Sequence, residues 1–252
     1  MIFCEGIDIS VANDSPLTHA DDIDFESMPA EIRFVYNKAT EHTRYVDPQF
    51  VAHVGAANAA GKLTGAYCFA HPSDDPVVDA DHFLATQDTV LLDLRKRPWL
   101  DVEVMDSLSP TRVLAWMEAW LERVEAGLGM PPCIYTGPAF WSSLGILARD
   151  PKWARYPLVV AHYGVEKPTV PAPWSQPTFH QYAANTIWRD PKTGDMKWGK
   201  APPGAKILAQ PGIVRGVKGE CDRTRFFGCY DDLRAFAGLD VLPPTPAEAM
   251  AA

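Results

Sequence analysis

The chain has 252 residues, 47% hydrophobic and 22% charged, with 23 basic side chains against 32 acidic ones and a formal net charge of −9. That is ordinary globular composition, which excludes a disordered chain and a coiled coil, and no apolar run reaches the roughly 18–20 residues that span a bilayer. A net-acidic chain also lacks the basic footprint of a dedicated nucleic-acid binder, so neither nucleic acid nor membrane insertion is expected.

In chain order, short apolar runs bounded by Gly, Pro or charge predict strands. They are Gly6–Ser10, Phe34–Ala39, Leu63–Phe69, Trp99–Val104, Cys133–Thr136, Leu158–Tyr163, Thr178–Ala183 and a last one around Asp222–Phe227. Runs of this kind suit strands buried on both faces, as in a parallel sheet. Between them Val46–Ala60 reads as a helix opened by Asp47 and Pro48. The clearest helix is Pro110–Ala126. Ser109 precedes it as N-cap, and Val113, Leu114, Met117, Trp120, Leu121 and Val124 form one apolar stripe. A weaker helix is expected near Ser142–Arg149. After about residue 160 helical patterns give way to Pro-rich loops. The pattern predicts an α/β chain, a single irregular β/α barrel over residues 1–240, with 241–252 as a flexible C-terminal tail.

The N-terminal Met1–Glu5 has neither a positive n-region nor an apolar h-region, so no signal peptide is read and synthesis in the cytoplasm is expected. The cysteines Cys4, Cys68, Cys133, Cys221 and Cys229 show no CxxC spacing and read as reduced, small hydrophobes.

Asp101-Val102-Glu103 places two acids two residues apart on a predicted strand, hence on one face. Buried carboxylates are costly unless paired, metal-bound or functional. Asp8 closes the first strand, and Asp222 stands at the last. If the sheet closes, the first and last strands are neighbours, and these acids share a rim with Asp101 and Glu103. Clustered carboxylates raise one another's pKa, which keeps one protonated for general-acid work. Paired carboxylates of this kind serve glycoside hydrolysis. Tyr36, Tyr67, Phe69, Tyr135, Tyr163 and Tyr182 lie on predicted strands, with Trp141 and Trp188 nearby. Each can stack on a sugar face or pack in the core. His42, His71, His162 and His180 show no HExxH or paired spacing, so no metal or other cofactor is expected.

Taken together these segments resemble glycoside hydrolase family 25, the muramidases of many phages and bacteria. The matching runs are Gly6–Ser10, Phe34–Glu41 (FVYNKATE), Gly65–Phe69 (GAYCF), Asp101–Glu103, Ile134–Gly137 with Phe140-Trp141, Ala161–Tyr163, Gln181-Tyr182 and Asp222–Phe226. The resemblance implies an eight-stranded, TIM-like barrel with about five helices. It also implies hydrolysis of the β-1,4 bond between N-acetylmuramic acid and N-acetylglucosamine in peptidoglycan. Glu103 would be the proton donor and Asp101 would assist the substrate's own N-acetyl group, with Asp8 and Asp222 completing the acidic site. Tyr67 and Tyr163 would contact the sugar, and Tyr36, Lys38, Gln181 and Tyr135 would line the substrate site. Lys38 and Glu41 either pair inside the barrel or are structural.

Three residues depart from the family pattern: His42 for the usual Gly, Cys68 for His and Thr224 for Asn. The expected partner is the glycan strand of the bacterial wall, reached by phage release or a non-classical export route, with the protein a monomer. The alternatives are a catalytically silent wall-binding or virion-structural barrel, or a hydrolase of another aminosugar polymer.

Overall fold

The computed structural model describes residues 2–14, 23–184, 186–198 and 200–240. The expected tail, 241–252, lies outside them. In chain order the elements are β1 (Cys4–Ile9), β2 (Ile32–Glu41), β3 (Tyr45–Val46), α1 (Phe50–Ala59), β4 (Leu63–Phe69), α2 (Pro76–Gln87), β5 (Trp99–Asp101) and α3 (Pro110–Leu128). Then follow β6 (Cys133–Thr136), α4 (Pro138–Ser143), β7 (Leu158–Ala161), β8 (Phe179–Ala183), β9 (Ile187–Arg189), β10 (Met196–Trp198), β11 (Lys206–Ala209), β12 (Asp222–Phe226) and α5 (Tyr230–Ala237).

Eight strands close a barrel in the order β1-β12-β8-β7-β6-β5-β4-β2, with β2 returning to β1. Seven run parallel. The last, β12, is antiparallel to both its neighbours, β1 and β8. Five α-helices accompany it among the described residues, and this is the irregular barrel the sequence predicts. The antiparallel strand is the feature that strand spacing did not reveal. β9, β10 and β11 form a separate three-stranded antiparallel sheet. Helical patterns do fade after residue 160, but β structure partly takes their place.

Residues inside and outside the barrel follow from strand alternation. The interior is aromatic: Phe34, Tyr36, Trp99, Tyr135, Phe179 and Phe226 pack together. Tyr36 stacks on Trp99 with centroids 3.8 Å apart. Gly65 makes room for this, because a Cβ there would lie 2.4 Å from the Tyr36 ring. The outer core holds Val113, Met117, Trp120, Leu121 and Val124 of α3 against the backs of β4, β5 and β6. Pro110 begins α3 as expected, although the Ser109 side chain makes no capping bond. Gly129 ends it in the left-handed region, at φ 72°.

Helix α2 is absent from the sequence reading. Asp75 caps it by accepting from the backbone N–H groups of Val77 and Val78, and Pro76 opens it. Its inward face carries Asp79, Thr86 and Gln87 beside Ala80 and Phe83, so no continuous apolar stripe announces it. The predicted helix at 46–60 starts later, at Phe50. Asp47 instead accepts from the N–H groups of Val11 and Gln49 and ties the first loop to this corner. The weaker helix expected at 142–149 is two pieces, α4 and a 3-10 turn at Ile146–Arg149.

Candidate active site

The acids converge because of strand direction. Asp8 is the penultimate residue of β1, and Asp222 begins β12. Since β12 runs antiparallel, the two stand opposite each other in register at one rim. Asp101 ends β5 at the same rim. Strand β5 is shorter than predicted and stops there, so Glu103 lies beyond it. The alternation nevertheless persists. The Val102 N–H donates to the Tyr135 carbonyl, and its side chain is fully buried in the outer core. That leaves Asp101 and Glu103 on the other side, facing the barrel mouth.

Asp8 is buried and held by donors. Gln181 Nε2 lies 2.8 and 3.0 Å from its two oxygens, and Thr224 Oγ1 donates at 2.9 Å. Burial pushes its carboxyl up to about 6, partly offset by those donors. Gln181 is itself fixed, because the hydroxyls of Tyr135 and Tyr163 donate to its Oε1 at 2.8 and 2.6 Å. Burial, then the charges of Glu103 and Asp8, hold Asp101 well above the usual carboxylate range, against the opposing pull of Lys38. Burial, then Asp8 and Glu103, do the same for Asp222. Glu103 is the acid most open to solvent, at the mouth. Burial by the surrounding wall and the charge of Asp8 still raise its pKa. The Tyr67 hydroxyl is raised by burial and by Asp8, Asp101 and Asp222, which places it among the acids.

One atom stands out. Asp101 Oδ1 is buried and accepts no hydrogen bond. An orphaned acceptor of this sort costs free energy, and here it faces the rim where a substrate donor would complete it. Beside Glu103 opens a cavity of about 560 Å³, lined by Phe140, Tyr163, Ile187, Met196 and Leu208 among others. Three of these come from β9, β10 and the residue range of β11, so the small sheet forms one wall.

Of the residues singled out from sequence, Asp8, Asp101, Glu103, Asp222, Tyr67, Tyr135, Tyr163 and Gln181 come together. Tyr36 does not reach the groove. It is fully buried in the barrel interior, and its hydroxyl donates to the Arg97 carbonyl below the opposite end of β5. Lys38 pairs with Glu41 at the rim, and its ammonium lies 5.0 Å from the Phe69 ring centroid. Tyr182 donates to Glu5, and Trp141 packs in the outer core. Sequence reasoning missed Thr224 as a partner of Asp8. Its position two residues after Asp222 on one strand face was the available signal. The wall made by β9–β11 gave none, because its strands are short and partly exposed.

The departures resolve differently. Thr224 supplies a hydroxyl to Asp8. The Cys68 thiol points away from the mouth and lies 3.3 Å from Asp79 Oδ1. All five cysteines are free, and four are buried. His42 sits in the left-handed region at φ 57°, where glycine is favoured.

The family model for glycosyl hydrolases family 25 matches residues 15–190. The chain is 32% identical over 221 residues to lysozyme M1 of Streptomyces globisporus, covering 82% of this chain and 64% of that protein. It is 34% identical over 165 residues to an N,O-diacetylmuramidase of a Chalaropsis species, covering 60% of this chain and 77% of the other. Among solved structures, the bacterial lysozyme of Streptomyces coelicolor superimposes with a TM-score of 0.72 at 29% identity, over 94% of this chain and 98% of that one.

Proposed function

Because the chain belongs to glycosyl hydrolases family 25, we propose that it is a lysozyme-type hydrolase of peptidoglycan, cleaving the β-1,4 bond from N-acetylmuramic acid to N-acetylglucosamine. The observation that carries this reading is the convergence of Asp8, Asp101, Glu103 and Asp222 on one rim beside an open groove. In this reading Glu103, whose proton affinity is raised by burial and by Asp8, donates to the glycosidic oxygen as the bond to C1 breaks. The substrate's 2-acetamido oxygen attacks C1, one of the recognised departures from a carboxylate nucleophile. The acetamido N–H then donates to the free oxygen of Asp101. Water opens the cyclic intermediate, giving its proton back to Glu103. Asp8, whose charged form is favoured by bonds from Gln181, Thr224 and Asp222, supplies the negative field that favours the developing cation, and Tyr67 and Tyr163 position the ring. The partner is the glycan strand of the bacterial wall, met by a monomer made in the cytoplasm. Among the described residues no helix is long and apolar enough to cross a membrane.

The test is digestion of purified peptidoglycan by wild type and Glu103→Gln, with new reducing ends reduced by borohydride and identified by mass spectrometry. Reduced muramic-acid ends from wild type alone are expected. Intact glycan retained by both proteins would replace this reading with a silent wall-binding barrel.

A further inference from the structure

The mechanism leaves a second cluster at the rim unused. Glu41 ends β2, His42 follows it, and His71 lies two residues past β4. One ligating atom from each of the three lies within 4.8 Å of the others. We propose that Glu41, His42 and His71 form a binding site for a divalent transition-metal ion of the zinc class.

Three observations carry this. The first is the donor set. Two imidazoles and a carboxylate suit zinc, cobalt, nickel or copper rather than calcium or magnesium.

The second is the outer shell. His42 Nδ1 lies 2.8 Å from Asp74 Oδ2, and His71 Nδ1 lies 3.2 Å from both oxygens of Asp106. Ligating histidines characteristically give their second ring nitrogen to a carboxylate, which fixes the tautomer and the ring. Here both do, and each Nε2 is the nitrogen left for an ion. The rings stack at 3.7 Å with 10° between their planes.

The third is backbone strain. Among the described residues, the non-glycine positions with positive φ are His42, Asp106 and Ser107. The first is a proposed ligand, the second is the outer-shell partner of His71, and the third follows it in the chain. Such conformations cost of order 1–3 kcal/mol and collect where a site fixes them.

Ion binding requires the His42 ring to turn out of the stack, because the in-plane nitrogen lone pairs of two parallel rings do not meet at one point. Tetrahedral zinc at about 2.0–2.1 Å from its ligands sets them about 3.3 Å apart. Glu41 Oε1 and His71 Nε2 are 3.0 Å apart. His42 is half exposed and can swing its ring inward. Lys38 pairs with the other oxygen, Glu41 Oε2, so it does not occupy the ligating one. Asp74, Asp106 and Glu41 outweigh that single ammonium in charge. The fourth coordination position faces solvent.

The experiment is calorimetric titration of chelator-treated, full-length protein with Zn²⁺, with Co²⁺ visible absorption as a second readout. One equivalent is expected to bind wild type. Binding should be lost in His71→Asn and in His42→Gly, which relieves the left-handed backbone and so keeps the fold. Asp74→Asn, which alters only the outer shell, should weaken binding by about 10–100-fold. Absence of binding to wild type, or equal affinity in His42→Gly, overturns the proposal. Neither result bears on the hydrolytic reading, whose acids lie outside this cluster.

Discussion

At the residue scale the site is a problem in proton affinity. Glu103→Gln keeps the shape but removes the donated proton, so the rate should fall by about 10²–10⁴-fold with an unchanged circular dichroism spectrum. A variant within tenfold of wild type would remove Glu103 from the acid role. The alternation around Val102 made this residue legible, because two acids flanking a core valine can only face the other side. Tyr36 was not legible in the same way. Its strand position resembles that of a sugar-contact residue, and only the stacking on Trp99 and the bond to Arg97 reveal a core role. The cluster of Glu41, His42 and His71 was hidden too, because its members lie on two strand ends and share no spacing.

At the element scale the barrel depends on close approaches that small residues permit. Gly65→Ala would drive a Cβ to within 2.4 Å of the Tyr36 ring. A cost of about 1–3 kcal/mol is expected, read as a lower denaturant midpoint. Helix α2 carries the opposite kind of feature, a buried acid. Asp79 accepts from Trp120 Nε1 at 2.7 Å, and its Oδ2 has no partner. Burial pushes its carboxyl up to about 6, against the lowering effect of Trp120 and Cys68.

The sign of its contribution follows. Between about pH 4 and 6 the unfolded chain loses this proton while the fold keeps it, so stability falls as pH rises. Asp79→Asn should therefore be more stable than wild type at pH 7, by about 1–3 kcal/mol. That gain should shrink at pH 4. Equal pH dependence in both proteins would show that Asp79 does not titrate this way. This buried polar face is also why α2 escaped the sequence reading, whereas the apolar stripe of α3 announced it.

At the scale of the whole molecule, the raised acids of the mouth set how stability depends on pH. Asp8, Asp101, Glu103 and Asp222 all hold protons above their ordinary range, Asp8 because of burial, the other three because burial and neighbouring acids oppose ionisation. Each contributes stability that is lost as pH rises through its folded value. Glu41 and Asp106 act in reverse. Burial would raise them, but Lys38 and His71 hold Glu41 below its ordinary value, and Ser73 and His71 do so for Asp106. Their contribution is lost only as pH falls below about 4. The melting temperature should be higher at pH 5 than at pH 8. Asp222→Asn should raise it at pH 8 while lowering activity, a trade of function against stability. A flat melting profile from pH 5 to 8 would contradict this account. The closed barrel was legible at this scale from eight motifs in order, but the reversed direction of β12 was not, since strand polarity leaves no mark on composition.

Closure of the barrel by its last strand has a consequence for biosynthesis. The bond from Thr224 to Asp8 joins residues 216 apart, and β1 stays unpaired on one side until β12 arrives. A nascent chain halted before residue 222 therefore has an exposed strand edge and lacks Asp222, one of the four acids. The acid cluster is therefore complete only once Asp222–Phe226 has emerged and paired with β1, so the proposed hydrolytic site is assembled after the rest of the barrel wall.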